Sequence, residues 1–260
     1  MNQTISIRGK RVALTGACGF LGLSLARALV NEGASVIALD ILSPTEGKAR
    51  LAAANADATY FQCDITDESA LHEAADQIKE KFTGIDVLIN NAAFNPRVED
   101  GGNNGITFEN YPIEKWEKEL RVNLTGIMLV CRTLYPLMGS GASIINIASI
   151  YGVVAPDQRI YPAGFEKPAV YGASKAAVLN ITKYLATLWG KNGVRVNAIV
   201  FGGFENDQSP EFVKRYSEKT PLGRMAKPEE ASGIVIFLAS DASSYATGSI
   251  VTVDGGFTAW

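Results

Sequence analysis

The chain has 260 residues, enough to bury a large core, and its 47% hydrophobic and 20% charged content is that of an ordinary soluble globular protein. A net charge of −3 and a pI near 5.4 argue against nucleic acid as a partner, and no apolar run reaches the roughly 18–20 residues of a membrane span. The start, MNQTISIRGK, lacks an apolar signal core. Cys18, Cys63 and Cys131 form no CxxC pair and read as reduced thiols, so a cytoplasmic protein is expected.

In chain order, short apolar runs predict strands at 11–15, 35–39, 58–62, 86–90, 143–148, 194–200 and 249–253. Amphipathic stretches at 20–32, 45–55, 67–82, 113–138, 169–190 and 228–239 predict the helices between them. Strands alternating with helices imply parallel β-α-β units with right-handed crossovers. The expected fold is one α/β domain over residues 1–260, a Rossmann-type doubly wound parallel sheet of about seven strands with helices on both faces. Three stretches read as insertions, 94–112, 156–168 and 201–221, and each follows the carboxyl end of a predicted strand. That edge is where open α/β sheets bind ligands, so the insertions are expected to form a substrate pocket.

The first strand runs into TGACGFLG, whose Gly16, Gly19 and Gly22 separate strand from helix. Such a turn lets backbone approach a pyrophosphate, and the following helix offers its N–H groups and positive dipole end. Asp40 closes the second strand roughly 20 residues on, where a carboxylate accepts from both ribose hydroxyls and repels a 2′-phosphate. No Lys or Arg lies in the turn or directly after Asp40, so NAD(H) is favoured over NADP(H). Asp64, after the third strand, is placed to reach an adenine amine or to cap a helix, although Asp67 is the better-placed cap. Cys18 reads as small filler in the turn. His72, the lone histidine, falls in a polar helical stretch and leaves no basis for a histidine metal or catalytic site.

The most informative stretch is YGASK, 171–175. Tyr171 and Lys175 share a helix face, and a neighbouring ammonium lowers a phenol's pKa, which suits Tyr171 to proton exchange with a hydroxyl or carbonyl oxygen. Ser149 ends the fifth strand on the same edge, where its hydroxyl can hold the substrate oxygen. An isolated YxxxK is also a common surface pair.

These pieces, with NNAA (90–93), RVNLTG, IASI, VRVNAIV, PLGRMAKPEE and FLASDASSYATGSIVTVDGG in order, make the chain resemble the short-chain dehydrogenase/reductase family from about residue 8 to 256. The resemblance implies a catalytic tetrad of Ser149, Tyr171, Lys175 and Asn123, with Asn123 anchoring a helix bend and a proton-relaying water. It also implies a cofactor site of Thr15, Gly16, Gly19, Phe20, Leu21, Gly22, Asp40, Ile41, Asp64, Ile65, Asn91, Ala92, Ala93, Tyr171, Lys175, Gly202 and Phe204. Three departures stand out: TGxxGxxG replaces the TGxxxGxG of the family's shorter subgroup, Ala93 ends the usual NNAG, and Phe201 replaces a proline. Phe20 is therefore expected to point away from the pyrophosphate.

The expected function is an NAD(H)-dependent oxidoreductase that interconverts a secondary alcohol and a ketone on a sugar, sugar acid or polyol. The 22-residue step from Ser149 to Tyr171 and the polar insertions suit buried hydroxyls, with Arg97, Gln158 and Arg159 as candidate substrate residues. The weak likeness of the loops and of the ending DGGFTAW to family members of bacterial surface-sugar pathways points the same way. A 3-oxoacyl thioester reductase is the enzymatic alternative. A non-catalytic NAD(H) sensor is the alternative from another class, and a methyltransferase would have no use for YxxxK. The apolar helices at 113–138 and 169–190 resemble the surfaces by which the family forms homodimers and homotetramers.

Overall fold

The computed structural model describes residues 5–96 and 105–260. Seven strands form one parallel sheet in the order β3-β2-β1-β4-β5-β6-β7. They are β1 (Arg11–Thr15), β2 (Ser35–Asp40), β3 (Thr59–Gln62), β4 (Ile85–Asn90), β5 (Met138–Ser149), β6 (Arg195–Phe201) and β7 (Ile250–Val253). The helices are α1 (Phe20–Asn31), α2 (Pro44–Ala53), α3 (Glu68–Lys81), α4 (Ile113–Leu120), α5 (Gly126–Leu134), α6 (Ala169–Trp189), α7 (Pro210–Glu218) and α8 (Ser232–Ala239). The predicted α/β architecture is the observed one.

Central strands are apolar throughout because both faces are covered, and alternate residues serve different layers. Leu88, Ile144 and Val196 pack on one face with Val130, Val178 and Leu185 of α5 and α6. Val87, Ile145 and Ile199 pack on the other with Leu25, Leu29, Val235 and Leu238 of α1 and α8. Ser43 caps α2 ahead of Pro44, and Asp67 caps α3 by accepting from Ser69 and Ala70 N–H, as its position before the helix suggested.

Two elements differ from expectation. The helix read over 113–138 is broken: a π-helical turn at Arg121–Thr125 joins α4 to α5, and Pro136 lies in a short 3₁₀ turn, Tyr135–Leu137. The wide turn carries Asn123, whose side chain is bonded elsewhere. The 201–221 stretch, read as loop, contains α7, opened by Ser209 and Pro210 and turning Phe212 and Tyr216 inward.

The chain leaves β1 for β2 and β3 on one side, then crosses to β4 and runs out on the other. The ends of β1 and β4 therefore flank the sheet's switch point, the crevice in which open α/β sheets bind ligands.

Candidate active site

A cleft of about 840 Å³ runs along the carboxyl ends of the strands. At its floor the turn after β1 is stapled to the segment after β4. Thr15 Oγ1 accepts from the N–H groups of Asn91 and Ala92, both at 3.1 Å, and Asn91 Nδ2 donates to the Thr15 and Gly16 carbonyls, both at 3.0 Å. Thr15 is thus buried beneath the cleft, while Gly16, Gly19, Phe20, Leu21 and Gly22 line it. A Cβ on Gly22 would stand 2.0 Å from the Gly16 carbonyl oxygen, so only glycine lets α1 begin this close to the turn. Phe20, the first residue of α1, is 43% exposed and flanks the cleft mouth.

Asp40 faces that turn. Its Oδ2 accepts from Cys18 N–H at 2.9 Å and its Oδ1 from Leu42 N–H at 3.3 Å. Ile41, Leu42, Asp64 and Ile65 line the same end; Asp64 Oδ1 also accepts from Thr66 N–H and Oγ1 at 2.8 Å. Arg50 of α2 reaches this end too, paired with Glu46 at 2.8 Å, a cation ten residues past Asp40 in the sequence. The Cys18 thiol is buried and pushed up to about 11, mainly by that burial, which keeps it a protonated, inert group.

Farther along, Ser149, Tyr171 and Lys175 meet. Gly152 and Gly172 allow this. The turn after Ser149 lies directly on α6: a Cβ on Gly152 would sit 2.7 Å from the Lys175 carbonyl carbon, and one on Gly172 2.9 Å from the Tyr151 carbonyl oxygen. Burial pushes the Tyr171 phenol up, and its hydrogen bond with Ser149 works against that. Lys175 Nζ donates to the Ile147 carbonyl at 2.9 Å and lies 5.9 Å from the Tyr171 ring centroid. Burial lowers its pKa to about 8.

Asn123 is fully buried and lies beneath the cleft wall. It accepts from Phe94 N–H at 2.7 Å and donates to the Phe94 carbonyl at 2.9 Å and to Ser174 Oγ at 3.2 Å; Ser174 in turn donates to the Tyr171 carbonyl. From the π-helical turn it therefore ties the post-β4 segment to α6.

Ala93, Gly202 and Phe204 line the cleft. Phe201 continues the β6 ladder opposite Ser149 and Val253, and its ring packs 5.3 Å from Phe204. The substrate candidates fare differently. Arg97 lies outside the described residues. Arg159 is exposed and paired with Asp157 at 2.7 Å, and Gln158 clamps the backbone of Lys167, so neither lines the cleft. The lining instead comes from Phe94, Tyr151, Tyr161, Phe212, Tyr216 and Met225, with Asn95, Asn206, Gln208 and Lys167 as polar groups.

A family model described as enoyl-(acyl carrier protein) reductase matches residues 16–258. The 3-alpha-(or 20-beta)-hydroxysteroid dehydrogenase of Mycobacterium tuberculosis is 40% identical over 254 residues, covering 96% of this chain and 90% of its own. The chain belongs to the short-chain dehydrogenase/reductase family. As a member, it is an oxidoreductase acting on CH–OH groups. Among solved structures, a short-chain dehydrogenase from Leptospira borgpetersenii with bound NAD+ is 33% identical, with a TM-score of 0.84 and 97% and 94% of the two chains covered. A gluconate 5-dehydrogenase from Burkholderia cenocepacia, in complex with NADP and tartrate, is 28% identical, with a TM-score of 0.86 and 99% and 98% covered. No helix among the described residues is long and apolar enough to cross a membrane.

Proposed function

We propose that the enzyme interconverts a secondary alcohol and a ketone on a ring-shaped substrate, using NAD(H) in preference to NADP(H). The convergence of Ser149, Tyr171 and Lys175 in one cleft carries the reading. The glycine turn, Asp40 and the Asn91–Ala93 segment fit a dinucleotide: Gly22 keeps the α1 amides against the turn, and the Asp40 carboxylate faces the adenosine end. A bound nicotinamide supplies hydride chemistry at the carbinol carbon. Tyr171 moves the proton at the substrate oxygen, Ser149 holds that oxygen, and Lys175 holds the nicotinamide ribose. Asn123 keeps α6 in register with the cofactor floor.

The aromatic walls of Tyr151, Tyr161, Phe212 and Tyr216 suit the C–H face of a ring. A sugar or sugar acid is the second reading, supported by Asn95, Asn206 and Gln208, which leave donors and acceptors for further hydroxyls. The deciding experiment is oxidation of a panel of alicyclic alcohols, sugars and polyols with NAD+ and NADP+, beside 3-oxoacyl thioester reduction. Turnover abolished in Tyr171→Phe supports the reading; cofactor binding without turnover on any alcohol or ketone would instead favour a sensor. We take the protein to be one cytoplasmic domain that assembles as a homodimer or homotetramer. Exposed Met128, Tyr184 and Leu188 on α5 and α6 support the assembly, and light scattering tests it.

A further inference from the structure

The motif lysine is not the cation nearest the ring of the catalytic phenol. Lys167 Nζ lies over the Tyr171 ring at 4.6 Å from its centroid, against 5.9 Å for Lys175. Lys167 precedes Tyr171 by one helical turn, just ahead of α6, and it is 7% exposed. Gln158 grips its backbone from both sides: Oε1 accepts from Lys167 N–H at 2.9 Å, and Nε2 donates to its carbonyl at 3.2 Å. Its ammonium donates to Asn95 Oδ1 and, at 2.8 Å, to the Pro96 carbonyl. A lysine carries about 2 kcal/mol of rotamer entropy when free, so this set of bonds fixes a head group that would otherwise wander.

We propose that Lys167 is a positioning residue of the reaction, a second cation that acts through Tyr171 by stabilising the phenolate formed when its proton leaves. This rests on the reading of Tyr171 as the group that exchanges the proton. An ammonium over a ring face attracts the neutral phenol weakly through its quadrupole and the phenolate strongly through its full charge, so the difference favours ionisation. The other groups around the phenol do not supply such a field. Tyr151 meets it edge-on at 6.5 Å and shares a 2.9 Å hydrogen bond with Tyr161; burial pushes both phenols up, toward the neutral form. Asp157 of the 156–168 insertion is paired with Arg159 and Lys219. On the α4 side, Glu119 is buried, bonded by Tyr111 and pushed up by burial, with Lys167 and Lys115 pulling the other way. Ser149 bonds the phenol without charge, and Lys175 on α6 is itself lowered to about 8. The insertion that carries Gln158 thus contributes to the site by holding Lys167.

The test is a titration of Tyr171 by the carbon-13 signal of its Cζ in full-length protein labelled at tyrosine, assigned by loss of that signal in Tyr171→Phe. It needs neither substrate nor cofactor, so its outcome stands apart from the turnover assay. Lys167→Gln keeps a donor for Asn95 and Pro96 while removing the charge, and is expected to raise the Tyr171 midpoint by about one pH unit. Lys167→Arg keeps the charge and is expected to titrate near the wild type. Gln158→Ala leaves Lys167 in place but loosens it, and should shift the midpoint upward by less. The acid limb of kcat for alcohol oxidation should move with the midpoint, about tenfold in rate per unit. A Tyr171 midpoint unchanged in Lys167→Gln, or moved equally by Lys167→Arg, overturns the proposal.

Discussion

Gly152→Ala tests how Ser149 is brought to Tyr171. The added methyl would lie 2.7 Å from the Lys175 carbonyl carbon and 2.8 Å from its oxygen, where ordinary contact begins at 3.4 Å. Both atoms are backbone inside α6, so no flexible side chain can yield. The turn must retreat by roughly 0.7 Å, and Ser149 moves with it. Overpacking of this kind costs about 2 kcal/mol, and a misplacement approaching 1 Å at a reacting centre costs on the order of tenfold to a hundredfold in kcat. For a chain of this size the stability loss corresponds to a Tm lower by about 4 °C. Gly139→Ala, where an added Cβ meets nothing within 4 Å, is the control and should change neither quantity. Calorimetry and steady-state kinetics on both variants decide the matter. If Gly152→Ala keeps wild-type kcat and Tm, the close approach of the turn to α6 is not what sets the Ser149–Tyr171 geometry.

Asp40→Ala removes the carboxylate proposed to face the adenosine ribose and should raise KM for NAD+ on the order of tenfold while improving relative use of NADP+. Unchanged NAD+ kinetics would show that Asp40 does not hold the ribose. Asn123→Ala strands Phe94 N–H and carbonyl and should cost about 2 kcal/mol, read as a Tm drop of several degrees; an unchanged Tm would mean that the bend holds without it. Lys175→Met should abolish turnover yet stabilise the protein at pH 7. Burial depresses Lys175 to about 8, so the unfolded chain binds the extra proton and the native state bears the cost below that pH. That cost fades as pH rises from about 8 toward the ordinary lysine value. The gain of about 2 kcal/mol, net of the lost bond to Ile147, should therefore shrink over that window, and a Tm difference constant with pH would refute the argument.

Most of the sheet could be read from sequence because its strands are buried on both faces, where continuous apolar runs are unambiguous. The start of β5 could not: Gly139, Ser140 and Gly141 are exposed and carry no apolar side chain to mark them as strand. The opening of α7, Gln208-Ser209-Pro210, has the composition of a loop, although Ser209 as cap, Pro210 at the first helical position and the Phe212–Tyr216 spacing would have revealed it. At the site, Tyr171 and Lys175 were legible because the YxxxK motif fixes their spacing, and Ser149 because it ends a readable strand. The substrate side was not, since polarity does not fix direction. Arg159 and Gln158 turn to Asp157 and the Lys167 backbone, while Tyr151, Tyr161 and Phe212 face the cleft.

The same limit explains Lys167. A lysine beside a proline in a polar insertion reads as solvated surface, and only the fold turns its head group over Tyr171. Three charged side chains, Lys167, Lys175 and Glu119, are buried within or behind one cleft wall, where local rules for stability would place apolar residues. Backbone carbonyls do part of the compensation: Ile147, within β5, for Lys175, and Pro96, six residues past β4, for Lys167. The Lys175 acceptor belongs to the sheet, and Gln158 and Asn95 hold Lys167 against the Pro96 carbonyl, so each ammonium is fixed before the proton moves. That is the condition under which a cation biases a neighbouring phenol without reorganising as the proton moves.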